Sequence, residues 1–507
     1  MEKPSSRRDF LHFLAWGATS LALPGCIKTI TRPGVKKPPN FIIFLADDLG
    51  YGDLGCYGNP IIQTSNLDNF SREGMRFTDC HAAGTVCSPS RASLLTGRTP
   101  FRIGFYQILG RGDIHLRREE ITIASLLKNQ GYTTCFVGKW HLTNINNPKL
   151  GQPNPADHGF DHWFATQVNA FDGPQNPEKF IRNGQDVGPV EGWYCDVIVR
   201  EALDWLKNRP DIDKPFFLLV CSHEPHTPIQ PPEKYAQMYD NEKVNRLENT
   251  IAYGQIQRSE RNISDQKKYY YGTVTQLDQA FGHMINSIDQ MGYKDNTLVF
   301  FTSDNGPETP VTLEESGGRW TDPIRDRCFG TPGPLRGMKR YSYEGGHRIP
   351  GIARWPEHIK PNTTCDELIN GTDFLPSLCE LAGAFLPTDR VIDGASFVPA
   401  FTGKKISRKI SACWMFPLEY YYIPHMALRN GDYVIIGWFS PKQRQQSHME
   451  WVKTTRLEKF ELYNLRDNLA QNIDLSTQEP QCLQTMTTDM KRIWAEIQVE
   501  GPTWNWK

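Results

Sequence analysis

The stretch FIIFLADD, Phe41 to Asp48, is a run of six apolar residues that ends abruptly in two carboxylates. Six residues suit a strand and are short for a buried helix. Apolarity at every position, rather than at alternate ones, predicts a strand covered on both faces. Three other runs share this form. Thr133 to Val137 leads into Gly138-Lys139-Trp140-His141, Phe216 to Cys221 into Ser222-His223-Glu224-Pro225-His226, and Leu298 to Ser303 into Asp304-Asn305-Gly306. Helical patterns lie between them, around Ile123 to Asn129, Cys195 to Asn208 and Asp265 to Met291. Doubly buried strands alternating with helices predict an α/β fold. In such sheets ligands bind beyond the carboxyl ends of the strands. All four runs end there in residues that bind metal or move protons, and core packing gives no reason for that, so the four ends predict one composite site.

The chemistry of that site follows from its residue types. Asp47, Asp48, Asp304 and Asn305 offer only oxygen, which suits calcium or magnesium rather than zinc. Adjacent carboxylates repel unless a cation lies between them. Lys139, His141, His226 and Lys339 supply positive charge and proton carriers, Lys339 from the glycine-rich stretch Gly333 to Gly351. His223 and His347 are weaker candidates, suited to a supporting layer. In the stretch VCSPSRASLLTGR, Val86 to Arg98, Ser88 is expected as a helix N-cap, Pro89 at the first helical position and Gly97 just past the last turn. Cys87 then precedes a helix N-terminus, which favours anions and lowers a thiol pKa, with Arg91 one turn in. One dication, several Lys and Arg and one helix N-terminus make a pocket for a tetrahedral oxyanion, sulfate or phosphate.

These blocks resemble a type I sulfatase of the alkaline phosphatase superfamily, of the arylsulfatase A and N-acetylgalactosamine-6-sulfatase type. Cys87-Ser88-Pro89-Ser90-Arg91 with Thr96-Gly97-Arg98 matches the family signature C-x-P-S-R-x(4)-T-G-R. LADDLGYGDLGCYG, VGKWHL, Pro225-His226-Thr227-Pro228, TSDNG, LRGMK and EGGHRIPG match further blocks in order, and FELYNLRDN is similar to the C-terminal one. The resemblance spans about Asn40 to Asp474. It implies a large mixed central sheet sandwiched between helices. It also implies that a formylglycine-generating enzyme oxidises Cys87 to formylglycine. One hydroxyl of the hydrated aldehyde attacks sulfur, and the other loses a proton and expels sulfate. Carried over by position, Asp47, Asp48, Asp304, Asn305 and modified Cys87 hold one Ca2+. Arg91 and Lys139 steady the diol, His141 takes its proton, and His226 and Lys339 contact sulfate and assist the leaving oxygen. A further polar substrate contact is implied after GFDHWF, from either Asn169 or Thr166. The implied substrate is a sulfated glycan or a small sulfate ester. The rival readings are a phosphodiesterase or phosphonate monoester hydrolase of the same superfamily and an inactive, glycan-binding homologue.

The remaining features fix context. The 507 residues carry a formal net charge of −1, without the basic excess of a nucleic-acid binder. Residues 1–26 read as an export signal: Arg7-Arg8 resembles a twin-arginine motif, an apolar run follows, and Leu23-Pro24-Gly25-Cys26 resembles a lipoprotein cleavage box. This predicts a bacterial protein in the periplasm or at the cell surface, touching the membrane only through a lipid on Cys26. Residues 27–39 read as a tether, 40–402 as the catalytic domain and 403–507 as a smaller α+β subdomain. Its short alternating runs are Tyr433 to Trp438 and Phe460 to Leu465, with a last helix near Leu483 to Gln498. Asn169 to Gly192 and Glu308 to Pro334 read as loops over the site. Ten cysteines besides Cys26 and Cys87 are available for pairing in an exported chain.

Overall fold

The computed structural model describes residues 37–110, 113–240, 264–308, 328–417 and 424–506. The segment expected to be the export signal, with Cys26, the expected tether up to residue 36 and residues 309–327 of the second expected loop lie outside them. Residues 38–507 form one compact unit. The strands are β1 (Asn40–Ala46), β2 (Met75–Phe77), β3 (Cys80–His81), β4 (Thr133–Lys139), β5 (His162–Thr166), β6 (Phe180–Arg182), β7 (Gln185–Gly188), β8 (Phe216–Cys221), β9 (Thr297–Ser303), β10 (Gly351–Arg354), β11 (Thr363–Cys365), β12 (Ile369–Asn370), β13 (Cys413–Phe416), β14 (His425–Asn430), β15 (Tyr433–Phe439) and β16 (Leu457–Asn464). Ten of them form one mixed sheet in the order β11-β2-β10-β9-β1-β8-β4-β5-β6-β7.

The four apolar runs are the adjacent strands β9, β1, β8 and β4, all mutually parallel. Each sends successive side chains to opposite faces. In β1, Phe41, Ile43 and Leu45 enter one core with helix α2 (Cys87–Thr96) and helix α3 (Ile123–Asn129). Ile42, Phe44 and Ala46 enter the other with α1 (Ser65–Glu73), α4 (Tyr194–Asn208) and the helix Ser264–Gln290. This is why the runs lack a polar face. Helix α2 also packs against the helix Phe374–Ala382, whose Phe374 meets Phe300 of β9, and against the turn Gly371–Asp373.

The segment Asn169 to Gly192, expected as a loop, is in part a β-hairpin: β6 and β7 extend the sheet antiparallel from β5. Asn183 and Gly184 both take positive φ, 49° and 87°, the signature of a two-residue hairpin turn. After residue 403, β13 to β16 form a four-stranded antiparallel sheet. Ile435 and Leu462 face the main core together with Met490, Ile493 and Trp494 of the helix Pro480–Glu500, whereas Val434 and Ile436 pack on Met338, Tyr341 and Tyr343. The subdomain thus supports the segment that carries Lys339.

Candidate active site

Register brings the strand ends together. Ala46 pairs with Ser303, Leu45 with Cys221, and Gly138 with Cys221. Backbone bonds continue past the strands: Ser222 N donates to Leu45 O at 2.8 Å, Asp47 N to Glu224 O and Asp304 N to Ala46 O, both at 3.1 Å. Asp47, Asp48, Lys139, His141, the His223–His226 turn, Asp304 and Asn305 therefore share one edge of the sheet. Asp48 and His141 turn out of their strands at φ of 64° and 56°.

Helix α2 delivers Cys87 and Arg91 to that edge. It begins two residues earlier than expected, with Cys87 as its first residue and Val86 as the N-cap. Ser88 is not the cap, because its hydroxyl accepts from Leu109 N at 3.0 Å. Pro89 still falls within the first turn, where its missing N–H leaves no bond unmade. Gly97 closes the helix at φ 68°, donating its N–H to Ser93 O. The start of the helix is anchored instead by Ser90 Oγ, which accepts from Gly84 N at 3.0 Å and donates to Gly84 O at 2.9 Å.

The side chains converge in a dense network. Arg91 donates through Nε to Asp304 Oδ2 and through Nη1 to Lys139 O, both at 2.8 Å. Its Nη2 lies 2.8 Å from Asp304 Oδ2 and 3.4 Å from Asp47 Oδ2. Lys139 Nζ pairs with Asp47. Cys87 Sγ donates to Asp47 Oδ1 at 3.4 Å. Lys339 Nζ donates to both oxygens of Asp48, at 2.7 and 2.8 Å, and Asn305 Nδ2 to Asp48 Oδ1 at 2.6 Å. His226 Nε2 lies 3.5 Å from Asp48 Oδ2. Donor atoms of Asp47, Asp48, Cys87 and His226 lie within 4.8 Å of one another. Asn305 Oδ1 is buried without a hydrogen-bond partner. A buried orphan carbonyl beside buried carboxylates fits a hard cation, whose charge the acids need and whose shell takes such an oxygen.

Electrostatics follow from burial. Burial opposes ionisation of Asp47, but Lys139, His226 and Arg91 outweigh it and hold the carboxyl well below its ordinary range. Asp48 goes the other way: burial pushes it up to about 7, with Lys339 offsetting only part of the cost. Burial, then Lys139 and Arg91, depress His141 well below the ordinary imidazole value. It is therefore neutral and able to accept a proton. Burial and Lys339 do the same to His226. The Cys87 thiol is pushed up by burial and then by Asp47, which corrects the expectation of a thiol acidified by the helix end.

Several expectations are resolved here. The Thr166 hydroxyl is engaged within the protein, donating to Val168 O and pairing with Tyr194 OH, both at 2.7 Å. Asn169 reaches the site, donating to Asp47 Oδ2 at 3.0 Å. His223 stands behind it, 3.1 Å from Asn169 Nδ2. His347 lies outside the site. Its Nδ1 is 2.9 Å from His81 Nδ1 and its ring stacks on Trp414 with centroids 4.0 Å apart. Trp414 in turn donates to Ala82 O at 2.7 Å. The signature arginine Arg98 is also structural, pairing with Glu120 and Glu500. Sequence reasoning missed Glu308, which lies 3.4 Å from Lys339 Nζ and pairs with Arg340. Its place two residues after the Asp304-Asn305-Gly306 turn was the available signal.

Comparison with known proteins agrees with this geometry. A family model described as Sulfatase matches residues 39–384, and one described as N-sulphoglucosamine sulphohydrolase, C-terminal, matches residues 338–493. Human (Homo sapiens) arylsulfatase A is 35% identical over 427 residues, covering 79% of this chain and 75% of that protein. N-acetylgalactosamine-6-sulfatase of Sus scrofa is 32% identical over 412 residues, covering 76% and 69%. The crystal structure of Ps i-CgsB superposes with a TM-score of 0.71 at 24% identity, covering 93% of this chain and 95% of that one. A matching family model over most of the chain, relatives of this identity and coverage, and a fold that gathers the signature residues at one sheet edge lead to one conclusion: the chain belongs to the sulfatase family and is a sulfuric ester hydrolase.

Proposed function

We propose that this sulfatase releases inorganic sulfate from a sulfated carbohydrate, using formylglycine made from Cys87 and one Ca2+. The observation that carries the reading is the convergence of Cys87, Arg91, Lys139, His141, His226 and Lys339 on the Asp47-Asp48-Asp304-Asn305 cluster. A relative named for a sulfated sugar, N-acetylgalactosamine-6-sulfatase, supports the substrate class.

Asp47, Asp48, Asp304, Asn305 and residue 87 would hold the calcium, which supplies positive charge to the sulfate oxygens. As a hydrated aldehyde, residue 87 offers one hydroxyl to attack sulfur and a second whose deprotonation expels sulfate. The chain's own groups do the rest. Arg91, fixed by Asp304 and the Lys139 carbonyl, keeps the start of α2 against the carboxylates. Lys139 holds positive charge beside Asp47, next to residue 87. His141, neutral by burial, takes the proton of the second hydroxyl. Lys339 and His226, both against Asp48, contact sulfate and assist the departing oxygen, Lys339 with its positive charge and neutral His226 through a hydrogen bond.

Mass spectrometry of the peptide containing residue 87, from active enzyme of the native host, tests this. The peptide should show CHO in place of CH₂SH, with sulfate release in proportion to the converted fraction. Full activity from an unmodified thiol would overturn the reading.

We also propose export through the twin-arginine route and lipid attachment at Cys26, in the periplasm or at the cell surface. The eleven cysteines among the described residues are unpaired thiols, nine of them buried, which suits folding in a reducing compartment before export. Incorporation of labelled fatty acid should vanish in Cys26→Ala; soluble secreted protein with free Cys26 would contradict it.

A further inference from the structure

Asp47 presents two different oxygens. Oδ2 takes Lys139 Nζ, Asn169 Nδ2 at 3.0 Å and Arg91 Nη2 at 3.4 Å, whereas Oδ1 faces Cys87 Sγ at 3.4 Å. A carboxylate turns easily about its last torsion, which is broad and two-fold, so this asymmetry has to be imposed by neighbours. Lys139 and Arg91 reach Asp47 on long, flexible stems. Asn169 reaches it on a short one and is 5% exposed.

The orientation of Asn169 is itself determined. His223 is fully buried, and its Nε2 lies 3.1 Å from the carbonyl of Pro228, which can only accept. Nε2 therefore carries the hydrogen and Nδ1 the lone pair. Asn169 Nδ2 lies 3.1 Å from that Nδ1 and 3.0 Å from Asp47 Oδ2. Both neighbours are acceptors, and the amide nitrogen has one hydrogen for each. An aspartate here would set a second negative charge against Asp47, and a serine would have one hydrogen for two acceptors.

We infer that Asn169, oriented by His223, is a positioning residue that turns Asp47 so that Oδ1 faces the cation and residue 87. Neither side chain needs to touch substrate. The chain of bonds runs from Pro228 O through His223 and Asn169 to Asp47, and ties the His226 turn to the end of β1. The inference rests on the calcium site proposed above.

Calcium affinity, measured by titration calorimetry on the full chain, tests it, with the melting temperature in chelator as the check on folding. Asn169→Ala and His223→Phe should each weaken calcium binding roughly 10- to 100-fold, the usual effect of losing a partner that orients a ligand. Their melting temperatures in chelator should stay close to wild type. The double variant should lose little more than either single one, because the two act in series. His223→Gln, which can accept from Asn169 and donate to Pro228 O, should restore most of the affinity. Calcium affinity within twofold of wild type in Asn169→Ala, or full additivity in the double variant, would overturn the inference while leaving the calcium site standing. A wild-type chain that binds no calcium would remove both.

Discussion

Arg91 offers the sharpest single perturbation. Its guanidinium is 3% exposed and holds Asp304 through two nitrogens at 2.8 Å, the Lys139 carbonyl at 2.8 Å and Asp47 at 3.4 Å. Arg91→Ala removes the cation and leaves its partners buried. Breaking a buried pair from one side costs about 3–5 kcal/mol, and an unpartnered buried carbonyl adds about 1–3 kcal/mol. Lys139 still neutralises Asp47, so the low end applies and the total comes to about 4 kcal/mol. Arg91→Lys restores the charge, but one ammonium cannot replace a planar fork spanning Asp304 and the Lys139 carbonyl. We expect it to lose about 1–2 kcal/mol. Guanidinium unfolding followed by tryptophan fluorescence in calcium buffer reads both. At a slope of about 6 kcal/mol/M, Arg91→Ala should lower the midpoint by about 0.5–0.7 M, with Arg91→Lys between it and wild type. Sulfate release should fall in the same order. A midpoint for Arg91→Ala within error of wild type, or Arg91→Lys indistinguishable from wild type in both assays, would refute the reasoning.

Two further outcomes follow from the geometry. Calcium that binds only the folded chain should raise its stability by about 2.7 kcal/mol at a hundred times Kd, so chelation should lower both the melting temperature and the activity, and calcium should restore them; a melting temperature indifferent to chelator would contradict the site. Asp278, fully buried, accepts Leu67 N at 2.8 Å and Asn66 N at 3.2 Å at the start of α1, and burial raises its pKa to about 6. A raised folded-state pKa means the contribution is complete below about 4 and is lost as pH rises to 6, some 2–3 kcal/mol in all. Asp278→Asn lacks this titration, so its stability relative to wild type should climb between pH 4 and 6; parallel stability curves would dismiss the argument.

The strands that build the sheet were legible because each is covered on both faces, and no polar periodicity interrupts the apolar runs. The site was legible because its charged residues sit directly at the ends of those strands. What escaped depends on partners distant in sequence. Ser88 has the chemistry of a cap, but its hydroxyl is taken by Leu109 N. The acidifying helix end at Cys87 is a local argument, overridden by burial and by Asp47, forty residues away. Nothing near Asn169 reveals that its amide is held by His223, and nothing near His347 reveals that it pairs with His81. The hairpin β6–β7 was hidden by short, polar strands, although Asn183-Gly184 is a turn signal.

The packing of α2 sets a timetable. The helix lies against the turn Gly371–Asp373 and the helix Phe374–Ala382, and Arg98 just beyond it pairs with Glu500. These partners have therefore not yet been synthesised when Cys87 emerges from the ribosome. At ~5–20 residues per second, the roughly 300 residues separating Cys87 from the helix Phe374–Ala382 take ~15–60 s to make. Throughout that interval the Cys87 segment has no native surface from those partners to bury it, and the modifying enzyme proposed above would meet it as an extended chain. A fold that closed over Cys87 with local partners alone would shut that window within a fraction of a second.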